Sequence, residues 1–307
     1  MIDLGKAPIL IKGGGDLASG VAIRLFRSGF PVAMTELPNP LMVRRTVSFG
    51  EAVNAGRVQV EGVPAVRVDG PEEALRLLEL RGAERAIPVM IDPEARCRSP
   101  LNPAAMIDAI MAKRNTGTSM SDAPLVVALG PGFSAGKDCH VVIETNRGHD
   151  LGRPIFEGSA EPDTGIPGEI GGRTVERLLR APVSGRIRGL VEIGEGVSLG
   201  QVVAMVDVHE VRSRLDGVLR GLVRTGAWVD AGLKIGDVDP RFERDHCYLV
   251  SDKSLAIGGG VLETVLGFLA GTLLAHLGHR GGKRPYAGLQ TSLKCLARDS
   301  GCGVRFS

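Results

Sequence analysis

The chain opens with an apolar strand, a glycine loop and a helix in direct succession. Residues 9–11 are apolar and end in a loop, after which apolar residues recur at helical spacing. Gly13, Gly15 and Ala18 match the spacing of the dinucleotide-binding fingerprint. Glu36 ends the next apolar run, 21 residues after Gly15, where a ribose-binding acid belongs. This order predicts a Rossmann-like α/β unit.

A loop of this kind lets a phosphate approach the backbone at a helix N-terminus, where N–H groups and the helix dipole favour an anion. The residues predicted to cradle the phosphate are Gly13, Gly14, Gly15 and Asp16. Glu36 is predicted to bind a ribose of the same ligand. Another interpretation stays open, in which the glycine turn belongs to a Rossmann-like scaffold that binds no dinucleotide.

Further short apolar runs end in polar residues or glycine, as strands of a buried parallel sheet do. These runs cover residues 31–34, 87–91, 125–129 and 141–143. The stretch 103–113 is interpreted as one of the helices between the strands. Residues 1–158 are therefore predicted to form a Rossmann-like domain with a mostly parallel sheet.

Ligands of open parallel sheets bind beyond the carboxyl ends of the strands. The residues expected at that crevice are Asp92, Gly130, Gly132 and residues 144–149. The basic residues near it in sequence are Arg44, Arg45, Lys113, Arg114 and Arg147. We expect Arg45 or Arg147 to neutralise an anionic ligand, although each taken singly also fits a solvated surface charge.

Residues 180–240 contain an internal repeat. The run from Gly185 to Val191 matches the run from Gly217 to Val223, 32 residues later, and glycines keep that offset through both copies. Short alternating strands between glycines indicate a β-meander in each copy. The arrangement resembles a biotinyl/lipoyl-type barrel-sandwich hybrid domain. No lysine occurs between Lys137 and Lys234, so a structural or docking module is favoured over a swinging-arm carrier.

The flanking segments are also rich in glycine. Residues 159–179 are interpreted as a linker or a lid over the crevice. Within residues 241–277, Gly258 and Gly259 are predicted to form a second anion-binding glycine loop, or a hinge, that opens a helix at Val261 packing on the α/β domain. The basic tail of residues 278–307 is expected to be poorly ordered.

Cys139 and His140 are the candidate catalytic residues. A thiolate beside an imidazole suits sulfur or selenium transfer, or contact with a metal. Adjacent strand residues point to opposite faces, which favours a buried, inert cysteine instead. The five cysteines are scattered without zinc spacing, which predicts reduced thiols, a cytoplasmic location and no structural metal site.

Composition narrows the class of partner. The formal net charge is +2 and aromatic residues make up 4% of the chain, so neither a nucleic-acid surface nor a base-stacking platform is expected. The longest apolar stretch is interrupted by Glu263 and is interpreted as a buried helix rather than a membrane span. A homo-oligomer is left open.

Several motifs occur together in an order typical of one family. They are residues 12–20 (KGGGDLASG), 34–36 (MTE), 44–49 (RRTVSF), 112–115 (AKRN), 129–133 (LGPGF), 138–140 (DCH), 144–149 (ETNRGH), 164–172 (TGIPGEIGG) and 256–260 (AIGGG). In these motifs the chain resembles selenium-dependent molybdenum hydroxylase accessory proteins of the YqeB type. The resemblance covers roughly residues 8–270, and the tail falls outside it.

The resemblance implies an accessory protein that matures a molybdenum hydroxylase of the xanthine-dehydrogenase type. On this hypothesis the crevice binds a molybdopterin-type cofactor or a nucleotide, and the repeat domain covers the crevice or docks the hydroxylase. Two other functions stay open: an NAD(P)-dependent oxidoreductase with Glu36 on the ribose, and a non-catalytic scaffold. Whether the chain catalyses a reaction is left undecided.

Overall fold

The computed structural model describes residues 3–165 and 168–273. They form an α/β domain built on one nine-stranded sheet and a second region of two four-stranded sheets. The strands of the large sheet, in spatial order, are β3 (Arg57–Val60), β4 (Val63–Val68), β5 (Ile87–Ile91), β2 (Val32–Glu36), β1 (Ile9–Lys12), β6 (Ala105–Asp108), β7 (Leu125–Leu129), β8 (Val141–Ile143) and β9 (Pro154–Ile155). All pairs are parallel except β3–β4 and β8–β9 at the two edges.

Helices cover both faces of this sheet, so its central strands are apolar on both sides. The helices are α1 (Asp16–Arg27), α2 (Ala52–Ala55), α3 (Pro71–Glu79), α4 (Arg98–Leu101) and α5 (Asp252–Leu269). Ile9 and Ile11 pack with α1 and α5 on one face, whereas Leu10 packs with α3 and α4 on the other. This alternation follows from the two-residue period of a strand.

The helix predicted over residues 103–113 is wrong. Residues 105–108 form β6, which pairs with β1 on one side and β7 on the other. Ala105, Met106, Ile107 and Asp108 are all buried, because a central strand is covered by helices on both faces. An apolar run this short does not distinguish a central strand from a buried helix by its periodicity.

The internal repeat appears in the second region as matching strands. The first four are β10 (Leu178–Arg180), β11 (Gly185–Gly189), β12 (Gly196–Val197) and β13 (Val202–Val206). The last four are β14 (His209–Arg212), β15 (Gly217–Leu222), β16 (Trp228–Val229) and β17 (Lys234–Asp239). One sheet has the order β10-β17-β15-β12 and the other β14-β13-β11-β16. Repeat-equivalent strands therefore occupy equivalent places in two sheets that share one apolar core.

The glycines of residues 258–260 lie inside α5, so the predicted glycine loop there is wrong. α5 runs without a break from Asp252 to Leu269, and its N-terminus is capped by Ser251, which accepts a hydrogen bond from the Ser254 N–H. A Cβ at Gly258 would lie 2.9 Å from the Gly20 carbonyl oxygen of α1, and one at Gly260 would collide with the Gly152 carbonyl. Gly258 and Gly260 therefore let α5 pack closely against its neighbours, and none of the three glycines forms an anion-binding loop.

No helix within residues 3–165 and 168–273 combines the length and apolarity needed to cross a membrane. The basic tail of residues 278–307 lies outside the described part of the chain.

Candidate functional site

A cavity of about 590 Å³ lies beyond the carboxyl ends of β1 and β2, and we name it the loop cavity. Gly13 and Gly15 of the glycine loop and Asp16 of α1 form one wall of it. Its apolar walls are Leu17, Leu37, Leu41, Met42, Val43, Ile110 and Met111. The cationic side chains that line it are Arg44, Lys113 and Lys234. The cavity thus pairs an apolar compartment with three cations and a helix N-terminus.

The α1 N-terminus leaves backbone donors available to a ligand. A helix begins with N–H groups that have no intrahelical acceptor. The N-cap of α1 is Gly15, which has no side chain to accept from them. A Cβ at Gly15 would meet no atom within 4 Å, so open space adjoins the loop at this residue.

Glu36 lines the loop cavity, and each of its carboxylate oxygens also accepts a backbone hydrogen bond that shapes the loop. Its Oε1 accepts the Gly14 N–H at 2.8 Å, and its Oε2 accepts the Leu37 N–H at 2.7 Å. The Gly50 N–H donates to the Gly14 carbonyl, and a Cβ at Gly14 would lie 2.6 Å from the Gly50 Cα. Gly14 is therefore required for packing, and the carboxylate of Glu36 is committed to holding this loop.

Burial raises the pKa of the Glu36 carboxyl, and its two backbone hydrogen bonds offset only part of that increase. Both the ionised and the protonated carboxyl can accept the Gly14 N–H.

A second cavity of about 350 Å³ adjoins the loop cavity and lies between the two domains; we name it the arginine chamber. Asp16, Leu17, Arg44, Met111, Lys113 and Lys234 line both spaces. The linker contributes Glu161, Pro162, Asp163, Thr164, Gly168, Ile170 and Arg177 to the wall. The predicted linker thus forms one side of the chamber, and Lys113 reaches across to it in an ion pair with Asp163.

Three arginines of the chamber wall are more than nine-tenths buried: Arg44, Arg177 and Arg220 are 8%, 4% and 7% exposed. Arg177 donates to both oxygens of Asp237 and to the Gly168 carbonyl. Arg44 donates to the His246 and Leu249 carbonyls and lies 3.6 Å from Asp16. Arg220 lies 3.8 Å from the Asp239 carboxylate and 4.0 Å from that of Asp237.

Of the two arginines predicted to neutralise a ligand, Arg147 lies at a cavity and Arg45 does not. Arg45 does not line either cavity: its Nε donates to the Leu222 carbonyl at 3.1 Å and so ties the α/β domain to β15. Arg44, its neighbour, lines both. Arg147 lines the chamber, but two of its nitrogens already donate to Asp252 at 2.7 and 2.8 Å.

The glycines after β7 serve turns rather than ligand contact. Gly130 and Gly132 have φ values of +72° and +102°. A Cβ at Gly130 would collide with the Thr145 hydroxyl, and one at Gly132 would collide with the backbone of Arg114. Pro131, between them, is the residue that lines the chamber. Asp92 accepts the Cys97 N–H and organises its own turn.

Cys139 and His140 lie away from both cavities, which removes the basis for their predicted catalytic role. Cys139 is 0% exposed within an apolar cluster, and burial raises the pKa of its thiol to about 12. His140 Nδ1 accepts the Val126 N–H at 2.9 Å, and burial lowers the pKa of the imidazole to about 4. A protonated, inaccessible thiol is a poor nucleophile and a poor metal ligand. Among the described residues, no cluster of three or more His, Cys, Asp or Glu side chains could hold a metal ion.

Sequence reasoning missed Arg177, Arg220 and Lys234. Arg220 is the repeat equivalent of Arg188, 32 residues earlier, yet Arg188 is exposed and Arg220 is buried. The two copies carry the same residue at the same place in the motif, and the difference lies in what packs against each strand: β15 contacts the turns Arg45–Val47 and Arg244–Cys247.

No family model matches the sequence. The sequence is similar to the Escherichia coli K12 protein named "Uncharacterized protein YqeB", with 47% identity over 279 residues, which are 91% of this chain and 50% of YqeB.

Similarity to solved structures is weak. An aspartoacylase family protein from Mesorhizobium loti is 13% identical, with 76% of this chain and 84% of that chain covered at a TM-score of 0.26. The ectoine utilization protein EutE (DoeB) from Ruegeria pomeroyi is 13% identical, with 76% and 86% covered at a TM-score of 0.23. Scores this low carry no argument about fold or function.

The similarity extends over most of this chain, whereas the other half of the relative is not matched by this sequence. The chain is therefore similar to YqeB over 91% of its own residues, and it spans about half of that protein's length.

Proposed function

We propose that the chain binds a phosphorylated heterocycle in the loop cavity, either a nucleotide or a phosphorylated pterin of the molybdopterin type. The observation that carries the proposal is the composition of the cavity wall. Apolar side chains such as Leu17 and Met42 suit a flat ring system, while the α1 N-terminus, Arg44 and Lys113 suit a phosphate. The ring lies against the apolar wall and the phosphate beside Gly15.

The biological role that we propose is maturation of a selenium-dependent molybdenum hydroxylase of the xanthine-dehydrogenase type. The ordered motifs of residues 12–20, 129–133 and 144–149 support this role, and all three lie at or beside the two cavities. Since Cys139 is buried, the role that we propose is binding and delivery of the cofactor rather than thiol chemistry.

We assign the second region to the barrel-sandwich hybrid class. The matching strand orders of its two sheets and their shared apolar core support that assignment. The turn between β13 and β14 carries Asp207 and Val208, with no lysine for a swinging arm. Its proposed task is to close the loop cavity through Lys234 and to dock the hydroxylase.

Gly15→Val tests the binding site directly. The backbone at Gly15 is extended (φ −67°, ψ −178°), so valine fits there without strain, and its side chain enters the open space beside the loop. Gly196→Val is the matched control, since Gly196 is also open and lies in the second region on β12.

The measurement is thermal unfolding of the full chain with a molybdopterin preparation, CTP, ATP, NAD and NADP. A ligand at 100 times its dissociation constant stabilises by about 2.7 kcal/mol, a rise of several degrees in Tm. We expect this rise in the wild type and in Gly196→Val, and its loss in Gly15→Val. Stabilisation by NAD or NADP alone would favour the oxidoreductase, and no stabilisation by any ligand would favour a scaffold.

The proposed role is tested by hydroxylase activity in cells that lack the gene for this chain. Wild type and Gly196→Val should restore activity, and Gly15→Val should not. Full restoration by Gly15→Val would disconnect the loop cavity from hydroxylase maturation.

A further inference from the structure

The arginine chamber has hydrogen-bonding capacity that the protein itself does not use. Arg44, Arg177 and Arg220 each carry a buried Nε–H with no hydrogen-bond partner among the described residues. Buried polar groups in proteins are normally paired. These three Nε atoms are enclosed by protein, so a ligand in the chamber would contact the guanidinium groups through their terminal nitrogens. Within the described part of the chain, the terminal nitrogens of Arg220 make no hydrogen bond, and they are the donors that the chamber offers to an anion.

The charge of the chamber wall also favours an anionic ligand. Within the described part of the chain, its wall contains seven cationic side chains and four carboxylates. The cations are Arg44, Lys113, Arg147, Arg177, Arg220, Lys234 and Lys253, and the acids are Asp16, Glu161, Asp163 and Asp237. A net positive wall in a partly enclosed space attracts an anion more strongly than the same charges do in open solvent.

Of the three buried arginines, Arg220 is the one that makes no hydrogen bond within the described part of the chain. Its nearest carboxylate oxygens are 3.8 and 4.0 Å away, which is beyond hydrogen-bonding distance. Burial and the nearby charge of Arg44 both lower the pKa of its guanidinium. An anion in the chamber would relieve both effects.

The arrangement favours a phosphate over a carboxylate. The three buried arginines come from three separate places: the loop before α2, the linker and β15. A planar carboxylate offers two oxygens in one plane, whereas a phosphate offers three acceptor oxygens in a tetrahedral arrangement.

We propose that the arginine chamber is a second phosphate site, distinct from the one at the α1 N-terminus, so that the natural ligand carries two phosphate groups. The identity of that ligand rests on the proposed function, because its ring and first phosphate occupy the loop cavity. The shared wall of Arg44, Lys113 and Lys234 lets one molecule extend through both spaces. Arg220 then binds phosphate at a contact between the α/β domain and β15.

Arg220→Met tests this site with little risk to the fold. The two carboxylates near Arg220 keep hydrogen-bond partners when Arg220 is replaced. Asp237 still accepts from Arg177, and Asp239 still accepts from Arg241 at 2.6 and 2.9 Å. Methionine occupies similar length without the charge. The matched control is Arg188→Met, which changes the exposed repeat equivalent.

The probe is inorganic phosphate, measured by thermal unfolding at constant ionic strength against chloride. Gly15→Val is used as the background, because it blocks the site at the α1 N-terminus and leaves only the chamber. We expect phosphate to raise the Tm of Gly15→Val and of Gly15→Val/Arg188→Met. In Gly15→Val/Arg220→Met the phosphate affinity should fall at least tenfold. An equal rise with and without Arg220, or no rise in any variant, would overturn the proposal.

A second arm separates this inference from the proposed function. In the wild type saturated with a nucleoside monophosphate, the site at the α1 N-terminus is occupied, and inorganic phosphate should still bind in the chamber with the affinity that it has in Gly15→Val. Loss of phosphate binding in the saturated protein would show that one phosphate site serves both and would overturn the second site. Phosphate binding in the chamber without any nucleotide or pterin binding would instead contradict the proposed function while supporting the chamber.

Discussion

At the scale of single residues, burial sets the chemistry of His140. Its imidazole is 4% exposed and accepts the Val126 N–H, and burial lowers its pKa to about 4 from an ordinary value of 6.5. Because the folded-state pKa lies below the unfolded one, the unfolded chain binds more protons between these values. Stability is therefore complete above pH 6.5 and is lost as pH falls toward 4.

We predict that this residue alone contributes a slope of up to about 1.4 kcal/mol per pH unit between pH 6.5 and 4. His140→Asn keeps an oxygen able to accept the Val126 N–H and does not titrate there. Urea unfolding across this range should therefore show a shallower decline for the variant than for the wild type. Parallel pH profiles would show that the pKa of His140 is the same in the folded and the unfolded chain.

Glu36 gives the opposite sign of pH dependence to His140. Its pKa is raised by burial above the ordinary value of 4.5, so the folded chain binds the proton more tightly than the unfolded chain. Stability is thus lost as pH rises through the window just above 4.5. Glu36→Gln should lack this decline, and the difference in unfolding free energy between variant and wild type should move in favour of the variant as pH increases. A constant difference would mean that Glu36 titrates normally.

At the scale of elements, the glycines of α5 decide how it packs. A Cβ at Gly260 would collide with the Gly152 carbonyl, whereas a Cβ at its neighbour Gly259 would meet no atom within 4 Å. We predict that Gly260→Ala destabilises by about 1–3 kcal/mol through overpacking against backbone. Gly259→Ala should stabilise by up to about 1 kcal/mol, because alanine is the better helix former. Chemical unfolding of the two variants checks both signs, and equal effects would contradict close packing at Gly260.

At the scale of the whole molecule, β15 of the second region makes direct contacts with the α/β domain. A Cβ at Gly221 would lie 2.7 Å from the Val43 carbonyl oxygen, beside the Arg45 to Leu222 hydrogen bond. We predict that Gly221→Ala destabilises the contact by about 1–3 kcal/mol. Backbone hydrogen exchange should then increase in residues 43–49. The control is Gly196→Ala on β12, where a Cβ meets no atom within 4 Å, and it should leave exchange in residues 43–49 unchanged. Unchanged exchange in both would show that this contact does not hold the domains together.

Local patterns in the sequence were sufficient for several elements. The spacing of Gly13, Gly15 and Glu36 placed β1, α1 and β2 in order, because a turn, a helix start and a strand end each depend on residues close in the chain. The 32-residue repeat likewise predicted matching strands, since equal sequences form equal local structures. Periodicity failed for β6, where burial on both faces removes the signal.

Tertiary structure decided what the residues around the cavities do. Arg188 and Arg220 stand at the same place in the repeat, yet only Arg220 is buried, and its strand β15 is the one against which the turns Arg45–Val47 and Arg244–Cys247 pack. Glycines that suit an anion loop in sequence became a helix contact at Gly258, because α1 lies against them. Spacing along the chain determines turns and strands, whereas burial and charge pairing depend on residues about 200 positions apart, such as Arg44 and Leu249. No pattern in one segment contains that information.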